Sequence, residues 1–295
     1  MKKTIFEGAA TALITPFDSH GNVDYGKFAE LVEFQINGGI DALVVCGTTG
    51  EASTLTDDEH KECISFVVKQ ANGRVPVIAG AGSNDTAYAI SLTKHACDAG
   101  ADALLVVTPY YNKATQNGLI RMYTEIADAS EKPIILYNVP SRTGVGFESS
   151  TYLALSEHEN IVGIKEANGN LSKIAQTFAC LDGKLDVYSG NDDQIVPLMS
   201  LGGKGVISVL SNLLPKQTSD MCHMALKGDY KGAAELQLKY IPLINALFSE
   251  VNPIPAKAAM AHLGYTANAL RSPLYPMEKQ NEEKLVKEMK ALGLI

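Results

Sequence analysis

Residues 160–170, NIVGIKEANGN, set a lysine, Lys165, beside a glutamate, Glu166, at the end of an apolar run. A free lysine amine has a pKa of about 10.4, so at neutral pH it is nearly all ammonium and cannot attack a carbonyl. Apolar surroundings penalise the charged form and lower that pKa, which frees the amine to form a Schiff base. Side chains alternate along a strand, so a Lys165 facing inward leaves Glu166 facing outward and removes it as the lysine's base. A strand-end lysine snorkelling to water fits the same stretch.

Three further groups of residues could serve such an amine. Residues 46–51, CGTTGE, combine glycines with Thr48 and Thr49. Glycines let successive backbone N–H groups form an anion-binding concavity, and two hydroxyls add donors for a carboxylate. No Gly-Lys-Ser/Thr follows, so this is not a nucleotide loop; a plain strand-to-helix turn is the other reading. Tyr110, Tyr111 and Tyr137 each follow or end an apolar run, where a phenol can pass protons or simply pack. Arg142, in NVPSRTGVG, reads as a loop residue whose guanidinium suits a carboxylate substrate or a solvated surface. The six histidines show no metal-ligand spacing, and His60 reads as structural.

These residues need elements to hold them. The chain alternates short runs rich in Val, Ile, Leu and Ala with longer helical patterns. The runs are nearly continuous rather than alternating, which suits parallel strands buried on both faces. Asp24, Thr56, Asp85 and Asn170 stand where helix caps are expected, and Thr56 with Glu59 makes a capping box. Eight such strands predict an α/β fold, a (β/α)8 TIM barrel, over a doubly wound sheet; no G-x-G-x-x-G opens any helix. After about residue 212 only helical patterns remain. The expected division is a barrel over residues 1–225 and a C-terminal helical extension over residues 226–295, packed on the barrel. Barrel enzymes carry their sites at the C-terminal ends of the strands. That rule gathers at one end the turn Gly47–Glu51 with Thr48 and Thr49, Tyr110, Tyr111, Tyr137, Arg142, Lys165, Gly190, Asn191, Asp192, Ile207 and Ser208.

The 295 residues carry a net charge of −8 and no dense basic run, which argues against nucleic acid or an anionic membrane as partner. No apolar run approaches a membrane span. The opening MKKTIFEGAATALITPF is interrupted by Glu7 and Gly8 and reads as a barrel strand rather than a signal peptide. Five scattered cysteines without a C-x-x-C pair read as reduced core residues of a cytoplasmic protein.

Taken in order, ALITPF, GTTGE, VIAGAGSN, TPYYN, YNVPSRTG, GIKEA, SGND, GVISV and NPIPAK span essentially the whole chain. Together they resemble the pyruvate-dependent class I aldolase family that includes dihydrodipicolinate synthase and N-acetylneuraminate lyase. The resemblance implies an imine between pyruvate and Lys165, with Thr49 holding the pyruvate carboxylate. It implies a proton relay of Tyr137, Thr48 and Tyr111, with Tyr111 supplied by a neighbouring subunit, and no cofactor or metal. Gly190 and Ile207 would line the site through their backbones. Arg142 favours an anionic aldehyde, L-aspartate 4-semialdehyde, as on the diaminopimelate route to lysine. The alternative is an aldolase of sugar-derived 2-keto acids such as N-acetylneuraminate. The family implies a homo-oligomer, a tetramer built from dimers or a dimer. Asn191 departs from the family pattern, where aspartate is frequent. His60, Asn84 and Tyr110 match the family's lysine-inhibited members, but Ala52, Asp57 and Tyr88 do not, so weak inhibition by lysine or none is expected.

Overall fold

The computed structural model describes residues 2–295. Eight strands form one closed parallel barrel in chain order: β1 (Gly8–Ala12), β2 (Ala42–Val45), β3 (Val77–Gly80), β4 (Ala103–Val107), β5 (Ile134–Asn138), β6 (Ile161–Glu166), β7 (Asp186–Ser189) and β8 (Gly205–Ser208). β8 closes on β1, pairing Ile207 with Ala10. The (β/α)8 reading of the sequence is therefore met.

Helices α1 (Tyr25–Asn37), α2 (Asp57–Ala71), α3 (Thr86–Asp98) and α4 (Gln116–Asp128) each follow one strand. Two short helices, α5 (Pro140–Thr143) and α6 (Ser149–Leu155), follow β5, and α7 (Leu171–Leu181) follows β6. α8 (Ile195–Met199) and α9 (Pro215–Leu226) complete the ring; α10 (Tyr230–Leu247), α11 (Ile254–His262) and α12 (Lys279–Ala291) come after it. α10 packs on α9 and α12. The caps stand where their side chains predict. Asp24, Asp85 and Asn170 accept first-turn N–H groups, and Thr56 and Glu59 bond reciprocally. Arg142 differs from expectation: it lies in α5 rather than in a loop, because Pro140 opens a short helical turn.

Parallel strands covered on both faces make two cores. Ala10, Val44, Ile78, Leu105, Ile135 and Ile207 fill the barrel lumen. Leu43, Val45, Leu104, Ile134, Ile164 and Val206 face the helices. Each fully buried Leu, Ile or Val contributes roughly 1.5–3 kcal/mol, which lets the strand ends carry polar residues that do not pay their own way. All five cysteines are free. No helix of the described residues is long and apolar enough to cross a membrane.

Candidate active site

Tyr137, Lys165 and Tyr188 lie side by side in register across β5, β6 and β7. Residues in register share a face, and Tyr137 and Tyr188 both belong to the lumen core. Lys165 therefore enters the lumen. It is 6% exposed, and its Nζ sits 4.3 Å from the centroid of the Tyr137 ring. The snorkelling alternative is thereby excluded. Gly190, just after β7, makes room for the lysine stem: a Cβ there would come within 2.7 Å of Ala167 Cβ and 3.2 Å of Lys165 Cε. Tyr188 is a packing residue. Its hydroxyl donates to the Phe6 carbonyl at 2.8 Å, and its ring stacks on Phe6.

Glu166 takes the other face. Its carboxylate accepts from Asn138 Nδ2 at 2.9 Å, Tyr152 Oη at 2.9 Å and the Asn168 N–H at 2.9 Å. Burial pushes this carboxyl above the usual range, and the bonds from Asn138 and Tyr152 oppose that shift. The group is satisfied behind the strand and cannot reach the amine.

The CGTTGE turn joins β2 to α2. Its Gly50 and Glu51 N–H groups fold back on Gly47 and Thr48 carbonyls, both at 3.1 Å. The N–H groups of Thr48 and Thr49 find no backbone acceptor among the described residues. Two free donors beside two hydroxyls suit a carboxylate. Cys46 (φ 56°) and Glu51 (φ 52°) bracket the turn in the left-handed region, where a Cβ is strained.

A cavity of about 440 Å³ opens at this end of the barrel, lined among others by Gly47, Thr48, Tyr137, Val139 and Arg142. Lys165, Thr49, Gly190 and Ile207 are not on its wall. Tyr137, whose ring carries the amine, connects Lys165 to it. Thr49 is 2% and Ile207 1% exposed. Arg142 Nη2 donates to the Asn252 carbonyl at 3.1 Å, so the guanidinium is partly anchored. Ser189 Oγ donates to the Asn191 carbonyl at 2.8 Å, which braces the segment after Gly190.

Tyr111 is not brought to this site. It is 92% exposed, with φ at 69°, whereas Tyr110 turns to the cavity wall. The adjacent tyrosines thus serve different surroundings, as their neighbouring positions predict. Ala52, His60 and Tyr88 line the same cavity. His60 Nε2 lies 2.7 Å from the Gly80 carbonyl, and burial lowers its pKa.

Asp192, Asn252 and Lys257 complete the surroundings, the last two beyond the sequence reading. Asp192 is buried and accepts from the Val209 and Leu210 N–H groups at 3.0 and 2.9 Å, tying the end of β7 to β8. Asn252 Nδ2 donates to Thr49 Oγ1 at 3.0 Å. Lys257, 0% exposed, pairs with Glu51 at 2.5 Å and donates to the Ala269 carbonyl at 2.8 Å. Burial pulls its pKa down to about 8 against the attraction of Glu51. Deleting one partner of such a buried pair costs roughly 3–5 kcal/mol. A signal for Lys257 existed: one cation inside the otherwise apolar run IPAKAAMA. NPIPAK reads first as a proline-opened helix, which hides it.

The arrangement offers a buried amine, a phenol against it, an anion cradle and a guanidinium. Comparison with known proteins agrees in kind. The sequence matches the model of the Dihydrodipicolinate synthetase family over residues 5–292. It is 55% identical over 292 residues to 4-hydroxy-tetrahydrodipicolinate synthase of Lachnoclostridium phytofermentans, covering 99% of each chain. The fold superposes on the chloride-inhibited dihydrodipicolinate synthase of Acinetobacter baumannii complexed with pyruvate with a TM-score of 0.97, and on dihydrodipicolinate synthase from Aquifex aeolicus with a TM-score of 0.96. Both structures are 46% identical; the match covers 99% of this chain and 100% of the first, and 98% and 99% for the second. The chain belongs to the dihydrodipicolinate synthetase family.

Proposed function

We propose that this chain condenses pyruvate with L-aspartate 4-semialdehyde, the 4-hydroxy-tetrahydrodipicolinate synthase reaction, through an imine on Lys165. The observation that carries the reading is the Lys165 amine, buried in the lumen 4.3 Å from the Tyr137 ring centroid. The amine attacks the pyruvate ketone, and loss of water gives the protonated imine. The imine acidifies the former methyl group, which releases a proton to give an enamine. The enamine carbon attacks the semialdehyde's aldehyde. The semialdehyde's own amine then closes the ring on the imine carbon and releases Lys165. Each step moves a proton, and the phenol of Tyr137 with the hydroxyl of Thr48 would carry them.

Thr49 and the free N–H groups of the turn would hold the pyruvate carboxylate. Arg142 would hold the carboxylate of the semialdehyde. Gly190 and Ile207 would shape the lumen around the imine. Tyr111 would complete the relay in a neighbouring copy of the chain, a role supported by its 92% exposure and its left-handed φ. A coupled assay tests the reading, offering pyruvate with aspartate semialdehyde or with N-acetylmannosamine in parallel. Turnover with the semialdehyde alone is expected; turnover with the sugar alone would overturn it.

A further inference from the structure

The segment that precedes and forms α11 reaches the CGTTGE turn from behind. Asn252 donates its amide to Thr49 Oγ1 at 3.0 Å, and Asn252 Oδ1 is buried without a partner, so this is the side chain's one hydrogen bond among the described residues. One turn further on, Lys257 pairs with Glu51, and the Arg271 N–H donates to Glu51 Oε2 at 3.1 Å. Glu51 is a residue whose φ of 52° needs its surroundings to impose it. The dipeptide Thr48-Thr49 is therefore held at Thr49 and at its downstream end by residues remote in sequence.

We propose that Asn252 is a positioning residue for the pyruvate carboxylate, acting through the Thr49 hydroxyl. This deepens the reading above and rests on it. A hydroxyl that accepts from an amide has a lone pair occupied, so its own proton is left to donate elsewhere. Asn252 thereby sets Thr49 as a donor toward an anion. Free rotation would let the oxygen lone pairs face the carboxylate instead. The backbone carbonyl of Asn252 bonds Arg142, and side-chain substitution leaves that contact in place. The effect of Asn252 thus falls on pyruvate and not on the semialdehyde.

Steady-state kinetics with both substrates varied test the inference. Asn252→Ala is expected to raise the KM for pyruvate about tenfold, the effect of one hydrogen bond of ordinary strength, with kcat and the semialdehyde KM within about twofold. Asn252→Asp keeps the shape, replaces the donor by an acceptor and adds a negative charge, so it is expected to raise pyruvate KM further. It also carries the test should the alanine variant not fold. In a Thr49→Val background, Asn252→Ala is expected to add nothing. Unchanged pyruvate KM in these variants, full additivity with Thr49→Val, or a fall confined to Tm and kcat would each overturn the inference. Borohydride reduction of the wild type with pyruvate separates the two readings: no pyruvyl adduct on Lys165 sinks the proposed reaction itself, whereas an adduct with unchanged Asn252 kinetics sinks only this inference.

Discussion

Lys165 and Glu166 are consecutive residues of β6 that serve different cores. The amine of Lys165 lies 4.3 Å from the Tyr137 ring centroid in the lumen, while the Glu166 carboxylate lies 2.9 Å from Tyr152 Oη behind the strand. Lys165→Ala is expected to form no borohydride-trapped adduct and to lose turnover. Glu166→Gln is expected to keep the adduct, because the carboxylate never meets the amine. It leaves a buried donor facing Asn138 Nδ2, so stability should fall by about 1–3 kcal/mol. Mass spectrometry and urea unfolding check the two halves; an adduct lost in Glu166→Gln, with the fold intact, would refute the separation.

Tyr137→Phe retains the ring against Lys165 and removes only the hydroxyl. If that hydroxyl relays protons, kcat should fall by roughly 10²–10⁴-fold. The adduct should still form at long incubation, since the lumen is otherwise unaltered. A near wild-type kcat would reduce Tyr137 to a packing role.

How much of this was legible without coordinates follows from range. β6 and Lys165 were readable because an apolar run and a strand's period of two are local properties. The capping residues were readable for the same reason. The contact of Asn252 with Thr49 was not, because 203 residues separate them and no local pattern links a proline-flanked asparagine to a glycine-rich turn. The Lys257–Glu51 pair was hidden similarly: GTTGE reads as complete by itself, and only the barrel shows what stands behind it. Arg142 lines the cavity but sits in α5 rather than on a loop, since proline signals a break before it signals a first turn.

The role proposed for Arg142 separates the two substrates. Its guanidinium faces the cavity while one nitrogen is held by the Asn252 carbonyl at 3.1 Å. A charged hydrogen bond contributes about 1.5–3 kcal/mol, so Arg142→Ala should raise the semialdehyde KM by roughly 10- to 100-fold. Adduct formation with pyruvate alone should be preserved. Equal loss with both substrates would place Arg142 in the fold rather than at the aldehyde.

Tyr88 bears on inhibition by lysine. It lines the cavity, where burial, ahead of the neighbouring Asp57 charge, pushes its phenol up to about 12. A phenol that stays neutral at physiological pH gives an α-ammonium no counter-charge. A rate titration with millimolar lysine is expected to show little inhibition, and Tyr88→Glu is expected to increase it. Strong inhibition of the wild type would show that the other cavity residues suffice.

Glu59 and Arg271 tie the chain beyond α11 to the start of α2. The guanidinium bonds both Glu59 oxygens at 2.6 Å, and the Thr54 and Gly21 carbonyls as well. Those Arg271 bonds, ahead of opposing burial, hold the Glu59 carboxyl down at about 2, against an ordinary 4.5. A carboxyl depressed on folding stabilises the protein above its unfolded pKa, and that contribution disappears as pH falls through its folded pKa. The window therefore runs from about pH 4.5 down to about pH 2. Solvent reaches part of the pair, so the contribution is about 1–3 kcal/mol. Glu59→Gln should be less stable than the wild type by that amount at neutral pH. The difference should shrink through the window and vanish near its lower end. Urea midpoints measured for both proteins across that range decide it, since carboxylates shared by the two cancel. A gap independent of pH would mean that Glu59 acts by shape and not by charge.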